Sequence, residues 1–261
     1  MTSRAGAACK SSVVVISHRY YLSKYQINRN KLYHFSNQSA VSLLHILVIL
    51  KKKNMSTLVG KKFPNISVKA IDEMGDAFQI NVLKQATDNN KKVVLFWYPK
   101  DFTFVCPTEI HAFQEAAAEF EKRNTIVIGA SCDTAEVHFA WLNTSKDNGG
   151  IEGVRFPLIA DSTRLLAQEL GILDYDMFDE DNMAGDNVPY RATYLLDETG
   201  MVFHESVNHF PVGRNVQEYL RLIDAFAHVQ KHGEVCPANW EEGKDAMSAT
   251  RTGVADYLSK H

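Results

Sequence analysis

The chain has 261 residues, 45% hydrophobic and 23% charged, a composition that suits a globular protein with one substantial core. Its four cysteines, Cys9, Cys106, Cys132 and Cys236, include no C-x-x-C pair, which excludes a disulfide scaffold and argues against a zinc site or a dithiol redox motif. The formal net charge of −3 conceals an asymmetry: residues 1–54 carry nine Lys/Arg and no acid, leaving 19 basic and 31 acidic side chains on the remainder, a net of −12. So acidic a body repels phosphate backbones, and nucleic-acid binding is set aside.

Residues 1–54 differ in character from the rest. Their apolar run "VSLLHILVIL", Val41 to Leu50, is interrupted by Ser42 and His45 and is too short to span a bilayer, so no membrane partner is expected. It lies far from the start and no small-residue cleavage site follows, which argues against a secretory signal. The segment reads as an organellar targeting sequence, as its lack of acids suggests, or as upstream sequence ahead of a start at Met55; the lack of amphipathic periodicity favours the second. The chain thus divides into an extension at 1–54, a body at 55–230 and a tail at 231–261. The sparse cysteines point to a reducing compartment, cytoplasmic unless the extension is a genuine targeting segment.

The body is regular from Val59 onward. "ISVKAI" and "AFQI", separated by "DEMG", predict a short hairpin. The continuous apolar run "KKVVLFWY" predicts a central strand buried on both faces. A helix is expected from Pro107 to about Lys122, with Ile110, Phe113, Ala117 and Phe120 on one stripe. "TIVIGAS" is the next buried strand, and a second helix follows with Asp133 at its N-cap and Glu136 three residues on. "PLIAD" is a further strand, and "STRLLAQELG" a short helix closed by Gly171. An acidic loop, "DYDMFDEDNMAGDN", leads to two strands joined by the Asp197 to Gly200 turn. The last clear helix starts at Asn215, with Glu218 at N3, and is expected to bury Val216, Leu220, Ile223 and Ala227. This order gives an α/β fold with a mixed central sheet covered by helices. Ligands in such sheets sit where strands give way to helices, and Cys106 occupies one of those ends.

Pro107 suits the first helical position, because its missing N–H would be unpaired there. Cys106 therefore sits at the mouth of a helix, where the dipole favours a thiolate; the alternative is a buried structural thiol that packs as a small hydrophobe. Pro99, Thr103 and Cys106 form a P-x-x-x-T-x-x-C pattern, followed by Pro107, Thr108 and Glu109. Here the sequence resembles the peroxiredoxins, specifically the typical two-cysteine branch that includes the alkyl hydroperoxide reductase C subunit. "YPKDFTFVCPTEI", "YRATYLLDETG", "PVGRNVQEYLRLIDAF" and "HGEVCPANW" match that branch in order, over nearly all of residues 56–261.

The resemblance implies a thioredoxin-like fold with a C-terminal tail carrying a second cysteine. It implies a thiol-specific peroxidase that reduces hydrogen peroxide and organic hydroperoxides to water and alcohols, with no metal, haem or flavin cofactor. Chemistry says what the residues must do. A free thiol of pKa about 8.5 is only about 3% ionised at pH 7, so full ionisation gains about thirtyfold at most. The larger share must come from donors aimed at the breaking O–O bond. Thr103 can place a hydroxyl beside the peroxide, and the resemblance implies that Arg191 of "YRAT" supplies a permanent charge for the thiolate and the departing oxygen. By the same resemblance Pro99 is expected to shield the thiolate from water and Glu109 to orient Arg191, the alternative for Glu109 being a first-turn acid that complements the dipole. Arg214 of "VGR" either approaches the same pocket or remains solvated.

"EVCPAN" repeats the Val-Cys-Pro triplet of "FVCPTE". Its cysteine, Cys236, lies beyond the last helix, in what reads as a mobile tail. By resemblance it resolves the sulfenic acid of a partner subunit, giving an antiparallel homodimer with two Cys106–Cys236 bridges that assembles into a decamer. The electron donor so implied is thioredoxin or a flavoprotein disulfide reductase. Cys132 reads as buried filler, and the ten histidines form no metal constellation. The chain departs from overoxidation-prone forms, which carry Gly-Gly-Leu-Gly and a C-terminal Tyr-Phe element; "GGIE" at Gly149 to Glu152 and the ending "ADYLSKH" stand in their place. An easily unwound helix mouth and rare overoxidation are therefore expected. His209 stands where the family more often has an acid. The competing readings are a thioredoxin-like disulfide reductase, which needs a second cysteine two residues away, and a chaperone-like holdase.

Overall fold

A computed structural model describes residues 57–174 and 187–261. The readings of residues 1–54 and of most of the acidic loop lie outside the described residues. The compact unit that contains the described residues runs from Asn54 to His261. Seven strands form one sheet in the order β2-β1-β5-β4-β3-β6-β7. They are β1 (Ser67–Ile71), β2 (Ala77–Asn81), β3 (Lys92–Trp97), β4 (Thr125–Ser131), β5 (Leu158–Ala160), β6 (Arg191–Leu196) and β7 (Val202–Asn208). β3, β4 and β5 run parallel, while β1, β2, β6 and β7 add antiparallel partners at the two sides. This is the expected mixed sheet.

β3 shows why its sequence reads as an unbroken apolar run. Side chains alternate faces along a strand, so Val94, Phe96 and Tyr98 enter one core and Val93, Leu95 and Trp97 the other. The first core is closed by α2 (Cys106–Glu115), α3 (Ala117–Lys122), α4 (Ala135–Leu142) and α6 (Val216–His232), through Phe113, Phe120, Trp141 and Ile223. The second is closed by α1 (Val82–Asn89) and α5 (Leu165–Leu170), through Val82, Ala86, Leu166 and Leu170. The tail ends in α7 (Arg251–Lys260).

Several boundaries differ from expectation, each for a local reason. The helix expected from Pro107 to Lys122 is broken at Ala116, whose φ of −85° and ψ of −2° lie in the bridge region and step the chain out of the ladder. Ala116, not Ala117, is then the buried alanine. α4 is capped by Thr134, whose side chain accepts from the Val137 N–H, because the Asp133 carboxylate is engaged elsewhere, by Ser131 Oγ at 2.7 Å and the Asp101 N–H at 2.9 Å. Glu218 pairs with Arg221 at 2.6 Å in place of closing a capping box. Tyr219 is buried on α6 where Ala227 is only half-buried. α1, at two turns with only Val82 and Ala86 buried, and α7, with no buried residue, offered too little apolar periodicity to be foreseen.

Candidate active site

The site assembles at the C-terminal end of β3. The chain leaves β3, crosses loop 98–105 and enters α2 at Cys106, with Pro107 as the second helical residue. β6 runs antiparallel to β3 with Phe96 opposite Thr193. Continuing that register two residues brings Arg191, the first residue of β6, level with the end of β3. Two segments 85 residues apart thus deliver a thiol and a guanidinium to the same end of two neighbouring interior strands.

Cys106 is 1% exposed. The Nη1 of Arg191 points at its Sγ from 3.4 Å and donates to Glu109 Oε2 at 2.7 Å, while Arg191 Nε donates to the Phe210 carbonyl at 2.7 Å. Glu109, one turn beyond Cys106 on α2, is buried between two arginines. Arg214 reaches it from the other side through Nε at 2.8 Å, Nη2 at 2.8 Å and its own backbone N–H at 2.9 Å. Arg214 Nη1 also donates to the carbonyls of Trp97 and Ala192, at 2.8 and 3.0 Å, and its guanidinium lies over the Phe96 ring at 5.3 Å. Of the two readings of Arg214 left open by the sequence, the solvated one is excluded: its side chain is 1% exposed.

The cluster has a simple charge count. Two guanidiniums and one carboxylate leave one positive charge unbalanced where water does not reach, and unbalanced buried charge is costly. An anion formed beside Arg191 in a reaction would balance it. Arg191 fixes the geometry through the planar fork that a lysine lacks, since one side chain holds Phe210, Glu109 and the sulfur together.

The remaining predicted residues make other contacts. Pro99 is buried and lines, with Lys100, Cys132, Asp133 and Arg164, a polar cavity of about 440 Å³ that does not include Cys106. The Thr103 hydroxyl donates to the Lys100 carbonyl at 2.9 Å; its only proton is engaged there, so its oxygen is left as an acceptor. Cys236 is half-buried after α6, its Sγ 3.5 Å from the Ala225 carbonyl. Burial pushes its thiol pKa up, against the pull of Arg221 and with the push of Glu234. The segment around it is folded back: Trp240 is 2% exposed and its carbonyl accepts from Arg221 Nη1 at 2.9 Å. Burial, with Asp161 adding to it, raises the Cys132 thiol to about 12. Cys106, Cys132 and Cys236 are all free thiols.

Sequence reasoning missed one group beside the site, the buried Asp101–His138 pair at 2.7 Å. Its only signal was an acid at the start of "DFTF" and a histidine on an otherwise apolar helix.

The sheet, the thiol at a helix mouth and the arginine held against it define a thioredoxin-like protein with a buried cysteine facing a buried arginine. The family model described as AhpC/TSA family matches residues 59–205, and the model of the C-terminal domain of 1-Cys peroxiredoxin matches residues 225–260. The chain is 42% identical over 207 residues to alkyl hydroperoxide reductase C of Helicobacter pylori, covering 78% of this chain and 98% of that protein. It is 41% identical over 203 residues to peroxiredoxin-1 of Gekko japonicus, covering 78% and 96%. Among solved structures, reduced 2-Cys peroxiredoxin of Plasmodium vivax superposes with a TM-score of 0.71 at 40% identity, over 78% of this chain and all of that one. The chain belongs to the AhpC/TSA family, the peroxiredoxins, and is a thiol-dependent peroxidase. The disulfide reductase reading is not favoured.

Proposed function

We propose that Cys106 is the thiol that attacks the peroxide and that Cys236 of a partner subunit resolves the product. The observation that carries this is the placement of Arg191 Nη1, 3.4 Å from Cys106 Sγ and locked by Glu109. The Cys106 thiolate attacks one oxygen of ROOH. The S–O bond forms as the O–O bond breaks, and the departing RO⁻ takes a proton and leaves as water or alcohol. Cys106 is left as sulfenic acid, oxidised by two electrons. Arg191 faces both the sulfur and the charge growing on the leaving oxygen, which is where a fixed donor gains most. Thr103, with its proton committed to Lys100, accepts the hydrogen bond of the attacked peroxide, and Pro99 closes the site to water. Glu109 holds both arginines as an orienting anion.

The Cys236 thiol then displaces the sulfenic hydroxyl, giving a Cys106–Cys236 disulfide and water. A dithiol donor, thioredoxin or a flavoprotein disulfide reductase, returns both sulfurs to the thiol state. In this reading residues 55–230 form the peroxidase domain and 231–261 the resolving tail, with matches at 59–205 and 225–260 in support. The working unit is an antiparallel homodimer that builds a decameric ring, acting on hydrogen peroxide and organic hydroperoxides in the cytoplasm. No helix of the described residues is long and apolar enough to cross a membrane. The test follows peroxide consumption with a reducing system for the parent, Cys106→Ser and Cys236→Ser proteins. The first variant is expected to show no turnover, and the second to reduce about one equivalent and stall unless a small thiol rescues it. Continued turnover by Cys106→Ser would end the proposal.

A further inference from the structure

Loop 98–105 has one firmly held end. The Asp101 N–H donates to Asp133 Oδ2 at 2.9 Å, and that oxygen is itself steadied by Ser131 Oγ at 2.7 Å. The Asp101 side chain, 1% exposed, places Oδ2 2.7 Å from Nδ1 of the fully buried His138. His138 Nε2 lies 3.1 Å from the Ile159 carbonyl. A carbonyl only accepts, so Nε2 carries its proton toward β5, and the short Nδ1 to Oδ2 contact holds a second proton between ring and carboxylate. Among the described residues Asp101 Oδ1 accepts no hydrogen bond. Burial raises the Asp101 carboxyl above the ordinary range; at His138 burial works downward, but the bond to Asp101 and its charge outweigh it and the net direction is upward. Both directions keep that second proton in place.

The next residues are held differently. Phe102 has a φ of 53°, in a region costly for a bulky side chain. Its ring is 52% exposed and that of Phe104 77%. Val105 gives α2 no side-chain cap. A firm anchor at Asp101 is therefore followed at once by a strained stretch with lighter contacts, the Phe102 ring 5.7 Å from that of Trp141 and the Thr103 hydroxyl on the Lys100 carbonyl, that ends at the reactive sulfur.

We propose that the Asp101–His138 pair is the positioning device that fixes the near end of the active-site loop, so that the unwinding which carries Cys106 to Cys236 starts at Phe102. This rests on the reading that Cys106 is oxidised and then resolved by Cys236. Weakening the anchor shifts the loop toward its open form. Peroxide reacts with the closed form, where Arg191 faces the sulfur; the disulfide forms from the open one. A tenfold shift in an equilibrium that favours the closed form by about a hundredfold or more leaves about nine molecules in ten closed, so the peroxide step barely changes while resolution quickens about tenfold.

Asp101→Asn tests this, since an amide can still donate to a neutral His138 and only the charge-assisted part of the bond is lost. The expected result is disulfide formation about tenfold faster, a reaction with peroxide that is no faster, and a smaller sulfinic fraction by mass spectrometry. Resolution that is unchanged or slower would overturn the proposal, whatever the melting temperature does. Hydrogen exchange on the parent protein gives a second test that needs no variant. The amides of Phe102 to Cys106 should exchange faster than that of Asp101, and equal protection across 101–106 would overturn the anchor. If the parent itself forms no Cys106–Cys236 disulfide with peroxide, the underlying reading fails; if it does and Asp101→Asn matches it in every rate, the anchor alone is wrong.

Discussion

Arg191 does three things from one guanidinium, and no other residue type can replace all of them. Arg191→Lys keeps the charge but loses the fork that reaches Phe210, Glu109 and the sulfur together, so the peroxide step is expected to slow about a hundredfold, in the range lost when one aimed donor is removed. Stopped-flow measurement of kcat/KM for hydrogen peroxide checks it; a loss under fivefold would mean that charge alone suffices. Glu109→Gln acts differently. It leaves Arg191 and Arg214 buried without their shared anion, which should cost about 3 kcal/mol of stability and appear as an earlier urea midpoint at unchanged slope. Cys132 supplies a negative control for thiol chemistry. With its pKa pushed up to about 12, about one part in ten thousand is thiolate at pH 8, so iodoacetamide should label Cys236 well before it. The sign for stability follows: a thiol whose pKa is raised by folding contributes its full share below its unfolded value near 8.5 and loses it as pH climbs toward 12. Rapid alkylation of Cys132 in the folded protein at pH 8 would show that the thiol is not protected.

At the scale of elements, what was legible in the sequence was what one period could carry. β3 and β4 were readable because burial on both faces leaves a nearly unbroken apolar run, and β6 because the Asp197 to Gly200 turn marks its end. Cys106 at a helix mouth was readable because Pro107 follows it. The break at Ala116 was not, since alanine favours the helix on both sides and only the backbone turn shows the interruption. Arg214 was ambiguous because an arginine before a helix looks the same whether it faces water or Glu109, a residue 105 positions away. His138 was noted only as a helical residue without a metal partner, because its partner Asp101 lies 37 residues earlier. The loop after α4 carries a prediction of its own. Gly149 takes a φ of 75° to close a short turn, and a Cβ on Gly150 would come within 1.9 Å of the Thr144 carbonyl. That turn offers the Gly149 carbonyl to Trp141 Nε1 at 2.9 Å and the Gly150 carbonyl to His111 on α2 at 3.0 Å. Gly150→Ala should therefore displace the turn and cost about 2 kcal/mol or more, read as a lower melting temperature. A variant as stable as the parent would show that the turn relaxes freely.

The whole molecule holds the two proposed redox thiols at different places, Cys106 beyond the C-terminal end of β3 and Cys236 folded against α6. Each chain contains both, so a single chain and a pair of chains are alternative working units, and mixing distinguishes them. In an antiparallel dimer the Cys106 of one subunit meets the Cys236 of the other. Equal amounts of Cys106→Ser and Cys236→Ser chains, unfolded together and refolded, give about half their dimers as mixed pairs, each with one intact Cys106–Cys236 combination where the parent has two. Steady turnover should then recover to about a quarter of the parent value, with no steady turnover in either variant alone. A reaction within one chain predicts none from the mixture, because no chain in it carries both thiols. The same samples on non-reducing gels separate the cases a second way: peroxide should convert mixed dimers to species joined by one disulfide, and parent dimers to species joined by two. In the proposed dimer the charge cluster fixes the order of events, because Arg191 and Glu109 would be complete within one subunit while the Cys106–Cys236 pair would need two. Sulfenic acid should therefore form at parent rate even in Cys236→Ser, and only the step that needs the second chain should depend on dimer concentration.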